Sequence, residues 1–208
     1  MKHNQVASAG LVIVALFLGG CGGGSSTMAY ASKDGLIYLS KKVPPLRFEV
    51  PEQSWDISFP QTNKVFYQHR KDRERTLSLT YSSLKNAPYF KSTLTPKDLL
   101  EEYFRWEAEH YRTSDPNTKV EIVSRDIDGP AIPNILWYLE GKNGKFYSIA
   151  FIKDDKQITF LSHNIRLPNE GKDFIIDVFR SLRLLTDEQV DTITEKETSY
   201  KGRLSWEP

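Results

Sequence analysis

The chain has 208 residues, 28 Lys and Arg against 27 Asp and Glu, and a single cysteine. This near-balance of charge provides no global field to draw in nucleic acid or to hold the protein on anionic lipid. One cysteine cannot close an internal disulfide. In chain order, residues 1–20 come first and have the three parts of a secretory signal: Lys2 and His3 as a positive start, the apolar run Leu11–Leu18, and the small pair Gly19-Gly20 before Cys21. The apolar run is too short to cross a bilayer core about 30 Å thick, which takes roughly 20 helical residues. Glycines at 19, 20, 22, 23 and 24 would also break such a helix.

Leu18-Gly19-Gly20-Cys21 resembles the lipobox of bacterial lipoproteins, in which a small residue precedes a cysteine that is lipidated and becomes the new N-terminus. The resemblance implies that Cys21 carries a diacylglyceryl group and an N-acyl chain and anchors the chain to a lipid bilayer, facing the periplasm. Gly22, where the sorting pattern for the inner membrane has Asp, favours the outer membrane. Removal of residues 1–20 takes away Lys2 alone among the charged side chains, so 28 basic groups become 27, against 27 acidic. Attachment therefore rests on the acyl chains, at about 0.8 kcal/mol per buried CH₂.

Residues 21–45 read as the lipidated cysteine and a flexible tether, opened by Gly22-Gly23-Gly24-Ser25-Ser26. Leu36–Leu39 is a first short strand or part of an extended arm, ended by Pro44-Pro45. A single domain is expected over 46–185, with a loose tail over 186–208. Its first strands are Arg47–Val50, Trp55–Phe59, Lys64–Tyr67 and Arg75–Tyr81, bounded by prolines and Asn63. In the last of these Leu77, Leu79 and Tyr81 alternate with Thr76, Ser78 and Thr80, which predicts one dry face. A long loop follows, Ser82–Leu94. Thr95-Pro96-Lys97-Asp98 then starts a helix to about Arg112: threonine caps, proline suits the first helical position, and aspartate sits at the positive end. Leu99, Leu100, Tyr103, Phe104, Trp106, His110 and Tyr111 share one arc of that helix, which predicts packing on a sheet. Four more strands are expected at Val120–Arg125, Asn134–Glu140, Lys145–Ile152 and Gln157–Asn164. The third is apolar on both faces and hence central. A second helix spans Lys172–Leu184. Asp187–Ile193 could add a helical turn.

No catalytic motif stands out. There is no G-x-S-x-G elbow, Cys21 is committed to lipid, and His3, His69, His110 and His163 lack metal-pair spacing. Asp126-Ile127-Asp128-Gly129 opens like a calcium loop, lacks its later ligands, and reads as a turn. No metal, cofactor or nucleic acid is expected. His69–Arg75 is a charge run that reads as a solvated hairpin, with lipid headgroups or an acidic partner as the alternative. Glu107 lies near the middle of the apolar arc with His110 three residues on. Together they form a candidate pocket: either a local Glu–His contact between helix and sheet, or a polar group kept for a ligand. Tyr89 and Phe90, in the long loop, are candidate partner-binding anchors; the alternative is that both tuck onto the core.

Phe48-Glu49-Val50-Pro51 followed by Trp55, then Ile135–Leu139, Gly144–Ile152, Ile158–His163 and Phe174–Leu185, resembles the PsbP-like α/β/α sandwich that includes the bacterial DcrB-type lipoproteins. The resemblance implies an α+β fold, one antiparallel sheet covered by two main helices. It also implies a non-enzymatic domain that binds or assembles other proteins, often at membranes. The leading expectation is a non-catalytic lipoprotein that binds a protein partner in envelope assembly or homeostasis. The alternatives are an immunity lipoprotein that neutralises a periplasmic toxin, as from type VI secretion, and a periplasmic hydrolase.

Overall fold

The computed structural model describes residues 30–31, 36–38, 46–50, 55–61, 64–142, 144–154, 156–163, 168–186 and 188–189. Cys21 and most of the expected tether and tail lie outside the described residues. The described elements run, in order, β1 (Tyr30–Ala31), β2 (Leu36–Tyr38), β3 (Leu46–Arg47), β4 (Trp55–Gln61), β5 (Lys64–His69), β6 (Thr76–Ser83), α1 (Pro96–Ser114), β7 (Lys119–Arg125), β8 (Asn134–Gly141), β9 (Gly144–Lys153), β10 (Lys156–His163), α2 (Pro168–Ser181) and β11 (Arg183–Leu184).

Seven strands form one antiparallel sheet in the order β4-β5-β6-β10-β9-β8-β7. Two meanders, one before α1 and one after it, meet where β10 pairs with β6. The expected single sheet is joined by a second, small one, β1-β2-β3-β11. It forms because Leu184 and Arg183, just past α2, pair with Leu46 and Arg47, which in turn pair with β2. Tyr30 and Ala31, within the stretch read as tether, pair with β2 as well.

Register explains the layering. Leu79, Phe160, Ile149 and Leu136 lie opposite one another across four strands. They face α2 and form a core with Phe174, Ile175, Val178, Phe179 and Leu182. The alternate residues Ile135, Trp137, Leu139, Ala150 and Ile152 face α1 and pack with Leu99, Leu100, Tyr103 and Ala108. The result is a helix–sheet–helix sandwich, and β9 is central with Ile149, Ala150 and Phe151 all fully buried. The single dry face expected of β6 is overturned: Leu77 and Leu79 are buried, and so is Ser78 on the opposite face. Alternation in one strand reports its polarity, whereas burial depends on what else packs nearby.

Helix α1 begins as its sequence requires. Thr95 accepts from the Asp98 backbone N–H, and the Asp98 carboxylate accepts from the Thr95 backbone N–H, a reciprocal capping box with Pro96 in the first turn. The expected loop Ser82–Leu94 is shorter than foreseen, because β6 runs to Ser83 and Leu84–Asn86 forms a single tight helical turn. Helix α2 starts at Pro168 rather than Lys172 and stops at Ser181, where β11 takes over. Among the described residues no helix is long and apolar enough to cross a membrane.

Candidate functional site

The stripe of α1 that meets the sheet centres on Glu107. Tyr103 and Tyr111 lie four residues to either side of it, and at about 100° per residue the three stack along one face. Trp137 of β8 lies beneath this stripe, with ring centroids 6.5 Å from Tyr103 and 6.3 Å from Tyr111. Tyr89 closes the layer from the loop before α1, 5.6 Å from the Tyr103 ring and 5.7 Å from that of Trp106.

A chain of polar groups threads this aromatic layer. The Tyr103 hydroxyl lies near enough to Glu107, and Thr159 of β10 near enough to Tyr103, to favour the charged form of each. Gln157 Nε2 donates to Thr159 Oγ1 at 3.3 Å, and the Tyr89 hydroxyl donates to Gln157 Oε1. Thr159 and Gln157 stand at alternate positions of β10, so both point toward α1. Loss of water pushes the Glu107 carboxyl up to about 7, against which the Tyr103 hydrogen bond works by favouring the charged form. Burial raises the hydroxyls of Tyr89, Tyr103 and Tyr111, and the neighbouring Glu107 charge raises them further. Two more polar atoms are buried in the same sheet face without a partner, Trp137 Nε1 and Ser148 Oγ, on residues directly opposite in the β8–β9 register. The hydrogen bonds of this layer join the loop before α1 to β10, through Tyr89, Gln157 and Thr159.

The candidate residues are placed as follows. Glu107 is half-buried in mid-stripe, but its partner is Tyr103, not His110. His110 is exposed, with its ring stacked on Trp106 at 6.1 Å and 15° and edge-on to Tyr111. The two thus do not form the pocket expected. The buried stripe is rotated toward Ala108, and Trp106 and His110 fall at its margin. Tyr89 is no exposed anchor. It is 8% exposed and belongs to the α1-side core, with half-buried Phe90 packed against the same cluster. The loop folds them in because the Tyr89 hydroxyl finds a buried acceptor, which a tyrosine needs in order to go inside.

Trp106, counted with the apolar arc, is instead 42% exposed. With Val123 it is an exposed large hydrophobic among the described residues. The charge run forms the expected hairpin, but its ends turn inward. Arg70 and Arg73 bridge to Asp56, while His69 is buried and Arg75 lies over the Trp55 and Phe174 rings. Asp126, in a left-handed turn conformation, is paired with Lys97, and among the described residues no three metal-type ligands come together. Thr159, Gln157 and Trp137 are site residues that sequence reasoning missed. The available signal was the i, i+2 spacing of Gln157 and Thr159, which alternate with the apolar Ile158 and Phe160.

No family model matches the chain, and no curated protein matches it. Among solved structures it is similar to the solution structure of cyanobacterial PsbP (CyanoP) from Synechocystis sp. PCC 6803, at 17% identity and a TM-score of 0.49, over 81% of this chain and 99% of that one. It is also similar to a crystal structure from Bacteroides thetaiotaomicron VPI-5482, at 9% identity and a TM-score of 0.39, over 77% of this chain and 49% of that one. The likeness is one of fold only.

Proposed function

We propose that this chain is a non-catalytic lipoprotein of the bacterial envelope, anchored through Cys21, that binds a protein partner with the Trp106–His110 face of α1. The observation that carries the binding reading is the exposed indole of Trp106, backed by the stacked His110 ring and seated on the rigid Tyr89. A large, pre-positioned aromatic at the surface costs little entropy to dock, and tryptophan dominates binding energy at protein interfaces. This face replaces Tyr89 and Phe90 as the contact surface, since those two are committed to the core. The anchor rests on the sequence around Cys21, which puts the domain near partners on the same membrane.

Photocrosslinking tests the contact. A benzophenone side chain at Trp106 or His110, in the full chain in cells, is expected to trap one discrete partner, while the same probe at Asp177 on exposed α2 traps none. Equal trapping from Asp177, or undiminished trapping from His110 after Trp106→Ala, would refute this face. Fatty-acid labelling tests the anchor separately: Cys21→Ser abolishes incorporation if the reading holds, and labelling that survives the substitution removes it.

A further inference from the structure

We propose that the outward face of the small sheet, around Arg47 and Arg183, docks on the phosphate headgroups of an anionic lipid bilayer. In the β3–β11 register Arg183 lies directly opposite Arg47, and Leu184 opposite Leu46. Residues directly opposite point to the same face of a sheet, with Cβ atoms roughly 5 Å apart. Leu46 is buried in the α2-side core, so the two arginines share the outer face, where both are exposed. Like charges placed this way destabilise a strand pair. No carboxylate offsets them. Among the described residues Arg47 makes no ion pair, and Arg183 donates only to main-chain oxygens, from Nη1 to Arg180 at 3.0 Å and to Leu182 at 2.8 Å. Arg180 adds a third guanidinium. With Arg183 it lines a groove of about 490 Å³ whose other wall is Gly129, Pro130, Ala131 and Ile132. The carboxylate beside Arg180, Asp177, stands at 3.8 Å.

Where the chain enters the sheet makes the occupant a bilayer. The strand order β1-β2-β3-β11 leads from Tyr30 directly into the sheet that carries the arginines. From Cys21 to Tyr30 there are 30 − 21 = 9 residue steps, at most about 30 Å of extended chain. With Cys21 in a membrane, which rests on the anchor reading above, this sheet is held within that reach of the headgroups. Guanidinium groups match phosphate oxygens in charge and in bidentate geometry, and an anionic surface relieves the repulsion between them. The chain as a whole is close to neutral, so the patch acts at contact rather than from a distance. The small sheet joins the α2-side core, whereas Trp106 rides on α1 across the large sheet. Docking here leaves the Trp106 face uncovered.

Vesicle flotation tests it on the full chain carrying Cys21→Ser, so that no acyl chain contributes and the outcome is separate from that of the anchor. Binding to phosphatidylcholine vesicles with about one-third phosphatidylglycerol should exceed binding to phosphatidylcholine alone, and the excess should vanish in about 0.5 M salt. Phosphatidylcholine alone registers whatever the apolar run Leu11–Leu18 contributes. Each arginine near an anionic surface strengthens binding roughly fivefold, so Arg47→Gln with Arg183→Gln should cut the preference for anionic vesicles roughly 25-fold. Arg70→Gln with Arg73→Gln, which removes the same charge from the β5–β6 hairpin, should leave most of it. A Cys21→Ser chain indifferent to lipid charge or to salt would overturn the docking without any arginine variant having to fold. Equal loss in both double variants would assign the preference to net charge and overturn it too. So would a benzophenone at Ala131, in the groove wall, that traps a protein and no lipid in cells.

Discussion

Replacing Tyr89 by phenylalanine and by alanine separates what its hydroxyl does from what its ring does. Tyr89→Phe keeps the ring against Tyr103 and Trp106 but strips Gln157 Oε1, on a residue 4% exposed, of its donor. A buried acceptor left without its donor costs about 1–3 kcal/mol. Tyr89→Ala also empties a core position that is only 8% exposed, where truncating an aromatic costs about 3–5 kcal/mol. At about 2–4 °C per kcal/mol for a domain of this size, the melting temperature should fall by about 5 °C for Tyr89→Phe and about 10–15 °C for Tyr89→Ala. Phe90→Ala should cost less, because Phe90 is half-buried at the edge of the same cluster. Differential scanning calorimetry, with guanidinium unfolding as a second probe, measures all three. A Tyr89→Ala protein that melts within about 2 °C of wild type would show that the ring is not part of the core, and the layer around Glu107 would lose its outer wall.

Glu107→Gln should stabilise the protein in a pH-dependent way. The folded carboxyl sits at about 7 against an ordinary 4.5, so its contribution is fully present below 4.5 and is lost as pH rises through 7. The variant should therefore match wild type at about pH 4 and exceed it by about 1–3 kcal/mol at about pH 8, read from urea unfolding. A constant difference at both values would contradict the burial of the charge. Thr95→Ala should lose the side-chain arm of the capping box, keeping the residue 95 backbone N–H on Asp98, and about 1 kcal/mol, visible as faster amide exchange confined to the first turn of α1. Unchanged exchange there would mean that packing of Leu99 and Leu100, not the cap, sets where the helix begins.

What the sequence determined by itself was local. Thr95, Pro96 and Asp98 specify the start of α1 because a cap satisfies its own backbone donors within four residues. The two-sided apolar pattern of Tyr147–Ile152 specifies a central strand, and β9 is one, because period 2 is a property of the strand alone. The helix–sheet–helix layering follows from such patterns read in order. The tertiary structure decided what depends on neighbours distant in the chain. Tyr89 and Phe90 have the composition of an exposed anchor, and only Gln157, 68 residues away, shows why Tyr89 goes inside. Glu107 is visible on a helical wheel, but its surroundings are set by the fold, since the Trp137 ring packs beside Tyr103 and Tyr111 while His110 stacks outward on Trp106. The short strand expected at Leu36–Leu39 is present as β2, but its place in a second sheet was unforeseeable, because strands of two or three residues carry no periodicity and Leu46 pairs with Leu184 from the far end of the domain.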